Sequence, residues 1–269
     1  LIERPEELEN EWPSHDDGFL AVSPYLEPSI PLNINACVFR DGTVTLHGPS
    51  VQLIGLNRIT NRTFGYCGND FARITEFDVS MINNLEEITI SAGLWLHSNG
   101  YLGAFGVDAL FCKGKLYLTE INPRFQGSSS MSARIDKELD RPDVFIEHIA
   151  AFLDLPAPKK ISLYELVKEQ PPLAHIYCHN LGPDSIYCSS ITTDELEIEC
   201  ALIPSTNIAV LQDAITFEAI FNKPVTINGM LLDNGIEEEI VSISKCLYPE
   251  LKWTKKESNK QMEFKLEDY

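Results

Sequence analysis

Residues 116–125 read LYLTEINPRF and place Glu120, Asn122 and Arg124 at alternate positions. In a strand such residues point to one side, so an acid, an amide and a guanidinium line a single face. The segment before it, GYLGAFGVDALFCKGK, supplies a partner strand and a turn. With the turn centred on Gly114, Asp108 faces Glu120, Gly106 faces Asn122 and Ala104 faces Arg124. The other side carries Phe105, Val107, Ala109, Phe111, Tyr117 and Ile121, a plain core pattern. Two carboxylates directly opposite each other repel. Either one of them is protonated or a cation lies between them. With the Asn122 amide beside them the donor set is all oxygen, which suits Mg²⁺ or Mn²⁺ and not zinc. Arg124, one step further on, can hold phosphate oxygens in a bidentate manner. Metal and arginine around phosphate is the arrangement that phosphoryl transfer needs. The plainer alternative is an exposed hairpin with incidental charges.

The chain around this hairpin has 269 residues, of which 44% are hydrophobic, enough for one large or two smaller domains with a sizeable core. Its 40 acidic against 21 basic residues give a net charge of −19, which repels phosphate backbones and argues against nucleic acid as a partner. Nothing in the sequence is apolar for long enough to span a membrane, so no membrane partner is expected. Seven cysteines, an odd number without CxxC spacing, point to free thiols in a reducing, cytoplasmic setting.

The expected strands are 19–25, 32–39 and 43–54, the last two joined at a turn containing Asp41-Gly42. Residues 55–76 read as a long loop. Apolar residues at 82, 85, 88, 92, 95 and 96 give helical spacing, closed by Asn99-Gly100. Strands 101–112 and 115–122 follow, then helices over 131–140 and 143–153, with Asp143 capping the second. Pro156 and Pro158 mark an expected domain boundary, dividing residues 1–158 from 159–269. Beyond it lie short strand-like pieces at 173–179, 185–191, 196–203, 207–212, 214–220 and 225–228. A helix near 236–247 and an exposed tail of Lys and Glu complete the chain. Trp12 and Trp95 read as packing residues, and His47 and His97 as isolated histidines. His175 and His179 share one side of a strand, where a half-buried strand with two polar positions is preferred over a zinc site.

The stretch GYLGAFGVDALFCKGKLYLTEINPRFQGSS resembles the ATP-grasp superfamily, with an acid on one strand and Glu-x-Asn-x-Arg on the next. YLEPSIPLNINACVFRDGTVTLHGPSVQ, residues 25–52, resembles that family's hinge strand. The resemblance implies an α+β fold: an ATP-grasp antiparallel sheet with flanking helices, followed by a β-rich C-terminal domain. It implies that Asp108, Glu120 and Asn122 hold Mg²⁺ (or Mn²⁺) and that Arg124 steadies the transferred phosphoryl group. Tyr25 and Leu26 would line the adenine of ATP, and Glu27 would bind the ribose. It further implies a ligase that joins a small-molecule carboxylate to an amine through an acyl phosphate, most like the amino acid and peptide branch. Gly127 and Ser128 would touch the acyl substrate; the alternative is a strand-to-helix turn with Ser130 as cap. Arg58 and Arg62 are candidates for the substrate carboxylate. The two lysines and the Gly-rich phosphate loop of the family are not visible, and are expected before Leu1. A carboxylase component, or a nucleotide-binding regulatory or scaffold protein without turnover, are the competing readings. The segment after 160 is expected either to close the active site or to form a homo-oligomer contact.

Overall fold

The computed structural model describes residue 7 and residues 23–56, 58–189, 196 and 198–249. Along the chain come β1 (Ile30–Val38), β2 (Val44–Leu46), β3 (Ser50–Ile54), β4 (Tyr66–Asp70) and a 3-10 turn (Arg73–Glu76). Then follow α1 (Val79–Ser98), β5 (Gly103–Cys112), β6 (Lys115–Asn122), α2 (Ser129–Glu138), α3 (Val144–Phe152) and α4 (Leu163–Glu169). The last part holds β7 (Ala174–His179), β8 (Ile186–Tyr187), β9 (Glu199–Ala201), β10 (Ala209–Val210), β11 (Ile215–Phe221) and α5 (Asn234–Leu247). Nine strands form one sheet in the order β6-β5-β1-β3-β4-β7-β11-β9, with β2 added beside β1, while β8 and β10 pair separately. All of the strand pairs are antiparallel, and the class is the expected α+β.

Alternation in β1 and β5 makes the two sheet faces chemically different. Leu32, Ile34, Ala36 and Val38 share one face with Phe105, Val107, Ala109 and Phe111, all buried. α1 covers that face with Met81, Ile82, Leu85, Ala92 and Leu96. The helix begins where the Asp78 carboxylate accepts the Met81 N–H at 2.8 Å, and ends at Asn99-Gly100, with Gly100 at φ +81°. Trp95, expected in the core, is 58% exposed. Ile88 and Trp95 lie at the margin of the apolar stripe, and Thr89 and Gly93 take the buried positions between its members.

The sheet does not stop at Pro158. β4 pairs with β7 through Gly68↔Ile176 and Asn69↔His175. The Asp70 carboxylate accepts the backbone N–H of Val225 at 2.9 Å and of Thr226 at 3.0 Å. Two cores do exist, but their division follows contact in space. Leu163, Leu166 and Val167 of α4 join the core under α1, whereas Leu53, Leu56 and Ile59 join the second core with Phe217 and Ile240. One sheet thus takes strands from both sides of Pro156 and Pro158.

Several element boundaries differ from expectation. The strand expected over 43–54 is broken at His47-Gly48-Pro49, where Pro49 has no N–H to give. The loop expected over 55–76 contains β4, whose sequence YCGND has low strand propensity and is held by its two neighbours. α4 was not expected; its signal is the capping box of Ser162 and Glu165. Residues 225–228 form a turn, with Thr226 bridging only to Leu232. Residues 23–25 are not a strand, and residues 19–22, Trp12 and the tail lie outside the described residues. All seven cysteines are free, and five of them are buried.

His47 is not an isolated histidine. It is fully buried, with Nδ1 at 2.6 Å from the Asp136 carboxylate of α2 and Nε2 at 3.2 Å from Glu147 of α3. Thr45 donates to the same Glu147 carboxylate. Burial pushes the imidazole pKa down, but Asp136 and then Glu147 outweigh it and raise it to about 9. The cation clamps both helices to β2. Its stabilising effect is complete below the ordinary value of 6.5 and is lost as pH rises through about 9. Denaturant unfolding should therefore show stability falling from neutral pH towards pH 9. His47→Ala should cost about 3–5 kcal/mol at neutral pH by leaving buried carboxylates unpaired, and should flatten that alkaline decline.

Candidate active site

The hairpin of β5 and β6 places Asp108 opposite Glu120 and Gly106 opposite Asn122, as its sequence predicts. The route to that register differs. The turn has two residues, Lys113 and Gly114, at φ 49° and 72°, the geometry of a type I′ hairpin. Cys112 therefore pairs with Lys115, and a bulge between Asp108 and Ala109 skips Thr119 and restores the site register. Between turn and bulge the faces are reversed. Leu116 packs on the core, and Tyr117, expected there, is 40% exposed. Arg124 does not sit opposite Ala104, because Pro123 ends the ladder. Its guanidinium instead turns back and donates to Asn122 Oδ1 at 3.1 Å and to the Phe125 carbonyl at 3.0 Å. The acid pair, the amide and the arginine are thus gathered at one place.

Around Asp108 the sheet builds a belt of side-chain amides. Asp108 Oδ1 accepts from Asn33 Nδ2 at 2.6 Å, from Gln52 Nε2 at 2.9 Å and from Gln126 Nε2 at 3.4 Å. Oδ2 accepts from Asn122 Nδ2 at 3.0 Å. Burial raises the Asp108 pKa, the nearby Glu120 charge adds to this, and the amide donors oppose it. The belt was missed in the sequence, although its signal is there: Asn33 and Asn35 alternate within an otherwise apolar strand, on the side of Asp108. Gln126 lies across the β5 backbone, and a Cβ on Gly106 would sit 1.8 Å from its Oε1.

Ser128 is 2% exposed, so it does not present itself to an acyl substrate. Its hydroxyl donates to Asn33 Oδ1 at 2.5 Å and accepts from Asn35 Nδ2 at 2.9 Å, and so positions the belt. Ser129 donates to Asn35 Oδ1 at 2.7 Å. Ser130 lies in the first turn of α2 and is not its cap; Ser128 holds the cap position without a side-chain cap bond. Gly127 is exposed and lies against the Tyr66 ring. Arg58 is ion-paired with Glu237 of α5, which commits it elsewhere, and Arg62 is exposed on the same loop. His175 and His179 hold separate partners, Glu218 with Asn69 and the Ile59 carbonyl respectively. No group of three or more His, Cys, Asp or Glu forms a metal cluster among the described residues.

Beside the belt is a cavity of about 500 Å³. Tyr25, Leu26 and Glu27 line it together with Phe64, Leu110 and Met230, and so does Gln52, whose amide also holds Asp108. Tyr25 and Phe64 meet edge to face at 6.4 Å. The expected nucleoside residues and the expected metal residues are therefore two ends of one continuous surface.

A family described as an ATP-grasp domain matches residues 42–128, which run from the turn of the first hairpin through the acid pair to Ser128. Over this stretch the chain resembles ATP-grasp domains. Solved structures share this fold at low sequence identity. N5-carboxyaminoimidazole ribonucleotide synthetase from Thermotoga maritima is 15% identical with a TM-score of 0.53, over 91% of this chain and 58% of that one. The biotin carboxylase domain dimer of Hydrogenobacter thermophilus 2-oxoglutarate carboxylase, in complex with MgADP, ADP and bicarbonate, is 14% identical with a TM-score of 0.52, over 74% and 43%. Biotin carboxylase from Campylobacter jejuni, in complex with a β-γ-ATP ligand, is 15% identical with a TM-score of 0.53, over 74% and 42%. The chain spans about half the length of these solved structures. No curated protein sequence matches it.

The amide belt makes a steric prediction. Gly106→Ala should expel Gln126 from the sheet surface and remove one donor from Asp108 and one acceptor from Asn33. Overpacking of this kind costs about 1–3 kcal/mol, read as a lower midpoint in urea. Adding Gln126→Ala should restore much of the loss, since the clash is with that side chain.

Proposed function

We propose that this chain is the nucleotide- and acid-binding part of an ATP-dependent carboxylate–amine ligase using Mg²⁺. The observation that carries the reading is the shared surface. Gln52 lines the cavity of Tyr25, Leu26 and Glu27, and the same amide donates to Asp108 in the acid pair. An adenine slot ending at a pair of opposed carboxylates fits a nucleotide with its phosphates and cation.

The donor set fits Mg²⁺, which is held by one or two carboxylates and completed by phosphate oxygens and water. Asp108, Glu120 and Asn122 would hold it. Bound MgATP supplies the phosphoryl group that activates a carboxylate for attack by an amine. The chain's own part is positioning. The amide belt fixes Asp108 in one orientation, so that the anionic site does not reorganise when loaded. Asn122 holds the Arg124 guanidinium beside the acid pair, ready to neutralise a phosphate or carboxylate anion. Glu27 is placed at the cavity for ribose hydroxyls, and Tyr25 with Phe64 offers an apolar edge to a base. No helix among the described residues is long and apolar enough to cross a membrane.

Thermal unfolding with ATP, with and without Mg²⁺, tests this. At a hundredfold excess over Kd, binding to the folded state alone adds about 2.7 kcal/mol. The stabilisation should require Mg²⁺ and should disappear in Glu120→Gln, which removes a charge while keeping the shape. An equal shift in Glu120→Gln would overturn the metal assignment. Arg124→Ala should keep nucleotide binding but lower carboxylate-dependent phosphate release by about 10²–10³-fold.

A further inference from the structure

The polar face does not end at the acid pair. Register carries it across the sheet: Asn33 pairs with Ser50, Gln52 with Asn69, Asn69 with His175, and Tyr177 with Glu218. Each of these residues lies on the side of Asp108. Their side chains are joined. Glu218 Oε1 is 2.6 Å from His175 Nδ1, and His175 Nε2 is 3.2 Å from Asn69 Oδ1. The Tyr66 hydroxyl donates to the same Asn69 oxygen, and Asn69 Nδ2 donates to Ser50 Oγ at 2.9 Å. The rings of Tyr66 and Tyr177 lie 5.8 Å apart at 55°. The Tyr177 hydroxyl is 3.4 Å from the Gly127 carbonyl, and a Cβ on Gly127 would stand 2.7 Å from the Tyr66 ring. The loop that follows the metal strand is thus the rim of this second cluster.

Its charge is specific. Glu218 is 7% exposed, and among the described residues its ion-pair partner is His175, which is fully buried beneath it. Among the described residues no lysine or arginine is paired with Glu218. Arg134, which α2 brings to the edge strand β9, is committed to Glu199 at 2.7 Å and to Glu138 at 3.6 Å. A carboxylate flanked by two phenol rings attracts an organic cation and repels carboxylate or bicarbonate. The cluster adds nothing to the metal's donor set, yet Asn69, His175 and Glu218 are buried and connected, and Tyr66 and Tyr177 are half-buried above them.

We propose that Tyr66, Tyr177 and Glu218, with Gly127 at the rim, bind the ammonium group of a primary-amine substrate. The inference rests on the ligase reading, and it divides the face between Arg124, which takes the acid, and Glu218, which takes the amine. His175 and Asn69 are positioning residues that fix the carboxylate and the Tyr66 hydroxyl.

The test is thermal unfolding of the full chain in saturating MgATP against the twenty free amino acids and a set of simple alkyl and aryl amines, each paired with its N-acetyl form. At least one amine should stabilise the parent while its N-acetyl form does not. Glu218→Gln should weaken that amine at least tenfold, and Tyr177→Phe about threefold, with the MgATP shift unchanged in both. Tyr177→Phe serves as the probe should Glu218→Gln fail to fold. An amine shift that survives both substitutions, or bicarbonate stabilising the parent where no amine does, would overturn the proposal. Absence of the MgATP shift itself in the parent would instead overturn the ligase reading.

Discussion

Two carboxylates, Asp108 and Glu120, face each other across a two-stranded hairpin, and the polar face of the sheet is built around their repulsion. Left alone, such a pair would drive the strands apart or take up a proton. Four amide groups on four separate segments meet Asp108 instead. They stabilise its charge without cancelling it, because an amide is a dipole and not a cation. The site keeps its negative potential while the fold stays intact. Gly106 is a consequence of that solution: Gln126 can reach over the backbone only where no side chain stands in the way.

A second buried charge system secures the elements that shape the belt. Asp136 of α2 and Glu147 of α3 converge on His47, and Ser128 and Ser129 at the start of α2 hold Asn33 and Asn35 of β1. One helix therefore serves both ends. Its first turn orients the amides around Asp108, and its last turns are locked by an imidazolium. Rigid support at this level is what keeps a charged site in its working geometry before a ligand arrives.

The sheet gives the site its extent. Because the sheet runs without a break from β6 to β11, the acid pair, the cavity and the Glu218 cluster all lie on one sheet. Pairing of β4 with β7 brings the last third of the chain to the first. Without it Tyr66 and Tyr177 could not share one face.

Local pattern in the sequence determined the apolar face of β1 and β5, helix α1 with its Asn-Gly stop, the Asp143 cap of α3, and the meeting of Asp108 with Glu120. These depend on periodicity and turn chemistry within about thirty residues, where geometry allows few alternatives. The tertiary structure decided the rest. It broke the strand at Pro49, made a strand of YCGND, placed Arg58 on Glu237, buried Ser128 and turned His47 into the centre of a charged core. Each of these depends on partners roughly seventy to a hundred and eighty residues away, or on sheet neighbours that supply what the segment's own propensity lacks. A sequence shows which side chains alternate along a strand; only the folded chain shows which strand lies beside it, and the site is made of those neighbours.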